Sequence, residues 1–112
     1  MYSGTMQVGK DLVAASAAPL ILSILEEGES YGYAILQRVR ELSDGQLAWT
    51  DGMLYPVLHR LEKQGAISSR WRESPTGRKR KYYALKSQGR KTLADHQAQW
   101  KVVNAALAAL WS

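Results

Sequence analysis

Nine lysines and arginines crowd into residues 70–91: Arg70, Arg72, Arg78, Lys79, Arg80, Lys81, Lys86, Arg90 and Lys91, with Glu73 as the only acid among them. The whole 112-residue chain carries a net charge of +5, so the remainder of the sequence is mildly acidic. Positive charge concentrated in this way suits a polyanion, and nucleic acid is the commonest one inside cells. Just upstream, in 50-TDGMLYPVLHRLEKQGAI-67, Leu54, Val57, Leu58 and Leu61 fall at i, i+3, i+4 and i+7, the apolar stripe of one helix face. The opposite face offers Asp51, Met53, Tyr55, His59, Arg60 and Lys63. These are hydrogen-bonding and contact groups, gathered near the start of a short helix.

Catalysis finds little to work with. His59 and His96 lie on different helices, without an acidic or sulfur partner at metal-ligand spacing and without a neighbouring Ser or Cys nucleophile. Paired carboxylates and a glycine-rich phosphate loop are both missing from the sequence. The expectation is therefore no enzyme, no cofactor and no metal. The chain has no cysteine, which fits a reducing cytoplasm. The apolar run 12-LVAASAAPLILSIL-25 contains Pro19, leads straight into Glu26 and Glu27, and is too short to span a bilayer. A soluble cytoplasmic protein is expected.

The elements that must position these groups follow from periodicity and punctuation. Residues 1–9 read as a loose arm, and a first helix covers about 11–26, ending at Gly28, with Pro19 starting or kinking its regular part. Ser30 stands where an N-cap belongs. The second helix then runs to about Leu42, with Tyr31, Ile35, Val39 and Leu42 inward. The turn 43-SDG-45 leads to the third helix, capped by Thr50 or Asp51, with Pro56 tolerated only near the first turn. Gly65 closes that helix at C′.

The period then changes to two. Ile67, Ser69 and Trp71 point one way, Ser68, Arg70 and Arg72 the other. A second strand, 80-RKYYAL-85, follows the turn 74-SPTGRK-79, giving a two-stranded hairpin with a basic tip. Tyr82 and Tyr83 read as strand core and edge. From Ser87 a long helix repeats apolar or bulky residues at spacings of three and four: Leu93, His96, Trp100, Val103, Leu107 and Leu110. A chain of this size buries only about 65% of its unfolded surface, so pairing with a second copy is a natural way to enlarge the core.

Helix, helix, helix, hairpin, long helix is the order of a winged helix-turn-helix, mainly α with a β-hairpin wing, plus a long C-terminal dimerisation helix. The domains would be 1–86 for DNA binding, including the N-terminal arm and helix, and 87–112 for dimerisation. The third helix would enter a major groove, with Asp51, Gly52, Met53, Tyr55, His59 and Arg60 nearest the DNA. The wing residues Gly77, Arg78, Lys79, Arg80 and Lys81 would follow phosphates or reach the minor groove. Tyr55 either meets a phosphate or packs on the second helix, and Glu62 is structural, since DNA would repel it.

The runs 30-SYGYAILQRV-39, 52-GMLYPVLHRLEKQGAI-67 and 71-WRESPTGRKRKYYAL-85 resemble the PadR family of transcriptional regulators, over about residues 18–111. The single C-terminal helix is similar to that of the family's small subgroup. The resemblance implies a homodimer built on the last helix and aided by the first, through Leu20, Leu93, His96, Trp100, Val103, Leu107, Leu110 and Trp111. It further implies repression at an inverted-repeat operator and release by a ligand in many members. Met53 departs from the pattern, standing where a small hydroxyl residue is expected, so no donor role is carried to it. Trp100 is either a packing anchor of the dimer seam or a platform for a flat aromatic or hydrophobic effector. A rival reading is a winged-helix module whose basic hairpin meets an acidic protein. An RNA partner is disfavoured because A-form RNA lacks a wide major groove.

Overall fold

A computed structural model describes residues 7–111, so most of the expected N-terminal arm lies outside the described residues. Helix α1 spans Lys10–Glu26, a two-residue strand β1 covers Ser30–Tyr31, and helices α2 and α3 span Gly32–Leu42 and Asp51–Lys63. Strands β2 (Ile67–Glu73) and β3 (Lys79–Leu85) form the hairpin, and α4 runs from Ser87 to Trp111. The sheet is antiparallel in the order β1-β3-β2.

The third strand corrects the sequence reading. Ser30 does not cap α2. It pairs with Tyr83, and Tyr31 pairs with Tyr82, so α2 starts one residue after a strand and has no side-chain cap. An extended residue at Tyr31 (φ −127°, ψ 167°) lets one segment finish a sheet and open a helix. Leu42, expected inside, is exposed, because α2 ends there and the chain leaves the core.

Pro19 and Pro56 sit inside continuous helices. Pro19 and Pro56 cannot donate to the carbonyls of Ala15 and Gly52, but both of those residues are exposed and water can take the bond. Pro56 thus lies in the second turn of α3, further in than the spacing suggested. Helix α3 has firm ends. The Thr50 side chain accepts from the Met53 amide at 3.3 Å, and the amides of Gly65 and Ala66 donate to Glu62 and Leu61 at 3.0 and 2.9 Å. Gly65, at φ 79°, supplies the left-handed C′ position this closure needs.

Ile21, Leu22 and Leu25 of α1 lie at the centre of the core, meeting Ile35 and Val39 of α2, Leu54, Leu58 and Leu61 of α3, and Tyr83 of β3. The apolar run 12–25 therefore turns one face, with Ala17, Ile21, Leu22, Ile24 and Leu25, into the core. No helix among the described residues is long and apolar enough to cross a membrane. At the end of α1, Glu27 accepts two hydrogen bonds from the Arg38 guanidinium, at 3.0 and 2.8 Å, tying α1 to α2. This hydrogen-bonded pairing holds the Glu27 carboxyl below its ordinary pKa.

Helix α4 leaves the sheet abruptly. The Lys86 carbonyl accepts its first helical bond, from Arg90 at 3.1 Å, which puts the cap one residue before Ser87. Gly89 then passes so close to the end of α3 that a Cβ there would stand 2.1 Å from the Ala66 carbonyl oxygen and 2.6 Å from a Leu85 methyl. Leu93, 1% exposed, is the last α4 residue sunk in the core. The radius of gyration, 15.6 Å, exceeds the roughly 13 Å of a compact chain this long, because the rest of α4 projects outward.

Replacing Gly89 with Ala should destabilise the protein by about 1–3 kcal/mol, at the upper end because the obstacle is backbone. Urea unfolding should show a lower midpoint with an unchanged slope. Thr50→Ala should cost about 1 kcal/mol through loss of the cap, read in the same way.

Candidate nucleic-acid interface

The hairpin register decides which cations face α3. Trp71 pairs with Lys81 and Ser69 with Tyr83, while Arg72 pairs with Arg80 and Arg70 with Tyr82. Directly paired residues share a sheet face. Trp71, Lys81, Ser69 and Tyr83 are therefore on one side, and Arg70, Arg72, Arg80 and Tyr82 on the other.

The side toward α3 forms an open cleft of about 600 Å³. Tyr55 and His59 line it from α3, Arg78, Lys79 and Lys81 from the wing, and Tyr31, Gly32 and Tyr33 from the start of α2. Recognition helix and basic hairpin thus stand beside each other around one concavity. Of the expected DNA contacts, Tyr55, His59 and Arg78 to Lys81 meet here. Asp51, Gly52 and Gly77 are exposed nearby in sequence but do not line the cleft. Met53 and Arg60 flank the other side of α3, beside Val8, Lys10 and Val13, and Met53 is half-buried against the core.

Of the two roles weighed for Tyr55, the packing one is seen. Its ring packs on the start of α2, where a Cβ on Gly32 would lie 2.1 Å from its hydroxyl oxygen, and it also lines the cleft. Only glycine at position 32 allows this approach. His59 lies one turn further along α3, its ring centroid 6.5 Å from that of Tyr55.

The rear of the wing is internally satisfied. Glu29 bonds to Arg72 and, at 3.3 Å, to Arg70. The Arg72 guanidinium stacks 4.1 Å from the Tyr82 ring centroid and that of Arg80 lies 4.3 Å from Tyr31. Tyr31 and Tyr82 meet edge to face at 5.4 Å. These contacts brace the hairpin, and cation–π pairs of this kind contribute about 0.5–1 kcal/mol at exposed sites. Arg80, expected at phosphate, is half-buried and partly engaged in this bracing. At the tip, the Ser74 amide donates to Arg78 at 2.6 Å and Gly77 takes φ 86°.

Trp71, Tyr31, Gly32 and Tyr33 were not anticipated at the site. Trp71 shares the parity of buried Ile67 but is 66% exposed, because the strand runs beyond the helices that cover its base. The parity of Trp71 with Lys81 was the available signal. Among the described residues, no three His, Cys, Asp or Glu side chains group as metal ligands.

A winged helix-turn-helix with its polar helix face and cationic wing around one cleft is the architecture of a DNA-binding regulator. The chain belongs to the PadR-like transcriptional regulator family, whose model matches residues 21–95. It is 30% identical over 96 residues to an uncharacterized protein of Lysinibacillus sphaericus, covering 86% of this chain and 88% of that one. It is also 30% identical to the transcriptional regulator YqjI of Escherichia coli over 75% of this chain, but spans only 39% of that longer protein. A transcriptional regulator from Clostridium thermocellum superposes with a TM-score of 0.83 at 29% identity, covering 92% of this chain and all of that one. A PadR family transcription regulator from Clostridium difficile gives 0.74 at 30% identity, covering 87% and 99%.

The bracing behind the wing should be measurable. Glu29→Gln should lower the thermal midpoint by a few degrees, consistent with loss of about 1 kcal/mol of charge-assisted bonding in a small domain. Calorimetry of the variant beside wild type checks this.

Proposed function

We propose that the protein is a homodimeric repressor that reads an inverted-repeat operator and releases it when an effector binds. The reading is carried by one observation: Tyr55 and His59 of α3 and the cations of the wing border the same cleft. One α3 per subunit enters a major groove, with the wing cations on the flanking phosphates. Two-fold symmetry sets the half-sites about 34 Å apart, or a multiple of that.

The case for a dimer rests on α4. Past Leu93, the seam residues Trp100, Val103, Leu107 and Leu110 have no cover from their own subunit sufficient to bury them, and Leu110 and Trp111 are 81% and 75% exposed. Apolar surface of this extent on a projecting helix calls for a partner helix. Leu93 drops out of the expected interface, because its own core already encloses it. His96 and Leu20 are half-buried and remain at the seam's edge. The effector reading rests on a smaller apolar groove of about 260 Å³ between α1 and α4, where Trp100 meets Pro19, Leu20 and Leu93. An aromatic or hydrophobic effector wedged there would change the angle between paired α4 helices, and with it the half-site spacing.

Duplex binding in a gel shift should weaken steeply with salt, whereas a module for an acidic protein partner would leave the duplex unshifted. Arg78→Ala and Lys81→Ala should each lower the slope of log affinity against log salt by about one unit, with little change in sequence preference. His59 variants should instead alter preference between sequences. Leu110→Glu with Trp111→Glu should give monomers in sedimentation and weaken operator binding. A dimer that survives the double charge substitution would place the pairing surface elsewhere.

A further inference from the structure

Two buried side-chain polar atoms among the described residues, the Trp49 indole nitrogen and the Tyr83 hydroxyl, have no hydrogen-bond partner, and of their residues Tyr83 lines the cleft. The Tyr83 side chain is 1% exposed and its hydroxyl makes no hydrogen bond. Burying a hydroxyl unpaired costs about 1–3 kcal/mol, and phenylalanine would fill the same space without that cost. Tyr83 lines the cleft together with Tyr55. Burial raises its pKa, with the neighbouring Tyr55 and Glu62 adding to the shift. Glu62 accepts from Ser69 at 2.5 Å, and the neighbouring Tyr55 hydroxyl is an acceptor without another described bond.

The Tyr55 hydroxyl has a second neighbour. It lies against Gly32, the first residue of α2, an eleven-residue helix whose N-terminus has no side-chain cap. The first amides of a helix lack intrahelical acceptors and favour an anion. The wing cations Lys79 and Lys81 line the same cleft. A phosphate seated there meets the α2 amides, two ammonium groups and the Tyr55 hydroxyl together.

We propose that Tyr83 is a positioning residue for DNA binding: its hydroxyl donates to Tyr55 once a backbone phosphate of the duplex docks at the start of α2, fixing Tyr55 to donate to that phosphate. The inference rests on the proposed reading of this cleft as the DNA surface. Tyr83 touches no DNA, and acts through Tyr55 alone. The hydroxyl unsatisfied in the free protein is satisfied in the complex, so the stability it withholds from the folded chain is returned as affinity.

The test uses the full chain and the best duplex it selects from a random-sequence pool. Tyr83→Phe should leave the thermal midpoint unchanged or raised, while weakening duplex binding about three- to tenfold, the size of one hydrogen bond. The salt slope should stay as in wild type, because no cation is lost. Tyr55→Phe should weaken binding similarly or more, and the double variant no further than Tyr55→Phe alone. Neutral methylphosphonate placed at successive phosphates should find one position where wild type loses affinity and Tyr55→Phe loses no more. Unimpaired binding by Tyr83→Phe, or additive losses in the double variant, would overturn the proposal while leaving the proposed function intact. Wild type failing to select any duplex would instead overturn the function, and this inference with it.

Discussion

The wing stands where it does because two residues, Ser30 and Tyr31, add a third strand to its inner edge. An isolated two-stranded hairpin is marginal in water. Its strands would be free to swing about the junctions at Gly65 and Lys86. Pairing with Ser30 and Tyr31 joins β3 to the segment that opens α2, so the hairpin, α2 and α3 are fixed to one frame. The Tyr31–Tyr82 contact and the stacked Arg80 and Arg72 extend that joint along the rear of the sheet. This joint acts together with the Ser69–Glu62 hydrogen bond and with Ile67 and Tyr83 in the shared core, which hold the hairpin against α3 from the other side.

The same joint explains where sequence reasoning stopped. The α3 stripe of Leu54, Val57, Leu58 and Leu61 was legible because one helical period dictates one buried face, and all four are buried. Gly65 was legible because its left-handed closure is local. The wing announced itself by parity and by the Pro75–Gly77 turn. Two residues of strand leave no periodicity, however, and Ser before a helical pattern looks the same whether it caps or pairs. Only the tertiary approach of β3 decides between them. Trp71 shows the same limit from the other side. Parity assigned its face correctly, but exposure depends on how far the helices extend beneath it.

Helix α4 changes character along its length. Up to Leu93 it belongs to the domain, and Gly89 marks the close passage where it crosses the end of α3. Beyond that it still touches α1 through Trp100, and its last turns, with Leu110 and Trp111, are exposed. An apolar groove at the root of the projecting part lies between α4 and α1, which itself packs on α3. Packed helices that share a core move as units, so Trp100 and α3 are joined mechanically through α1.

Both faces of the wing carry net positive charge. Arg78, Lys79 and Lys81 border the cleft, while behind the sheet Arg70, Arg72 and the stacked Arg80 outnumber the single Glu29 carboxylate. A polyanion therefore attracts the hairpin from either side, and charge alone gives the approach no preferred orientation. Shape makes the choice, since the cleft side is the one that Tyr55 and His59 of α3 border.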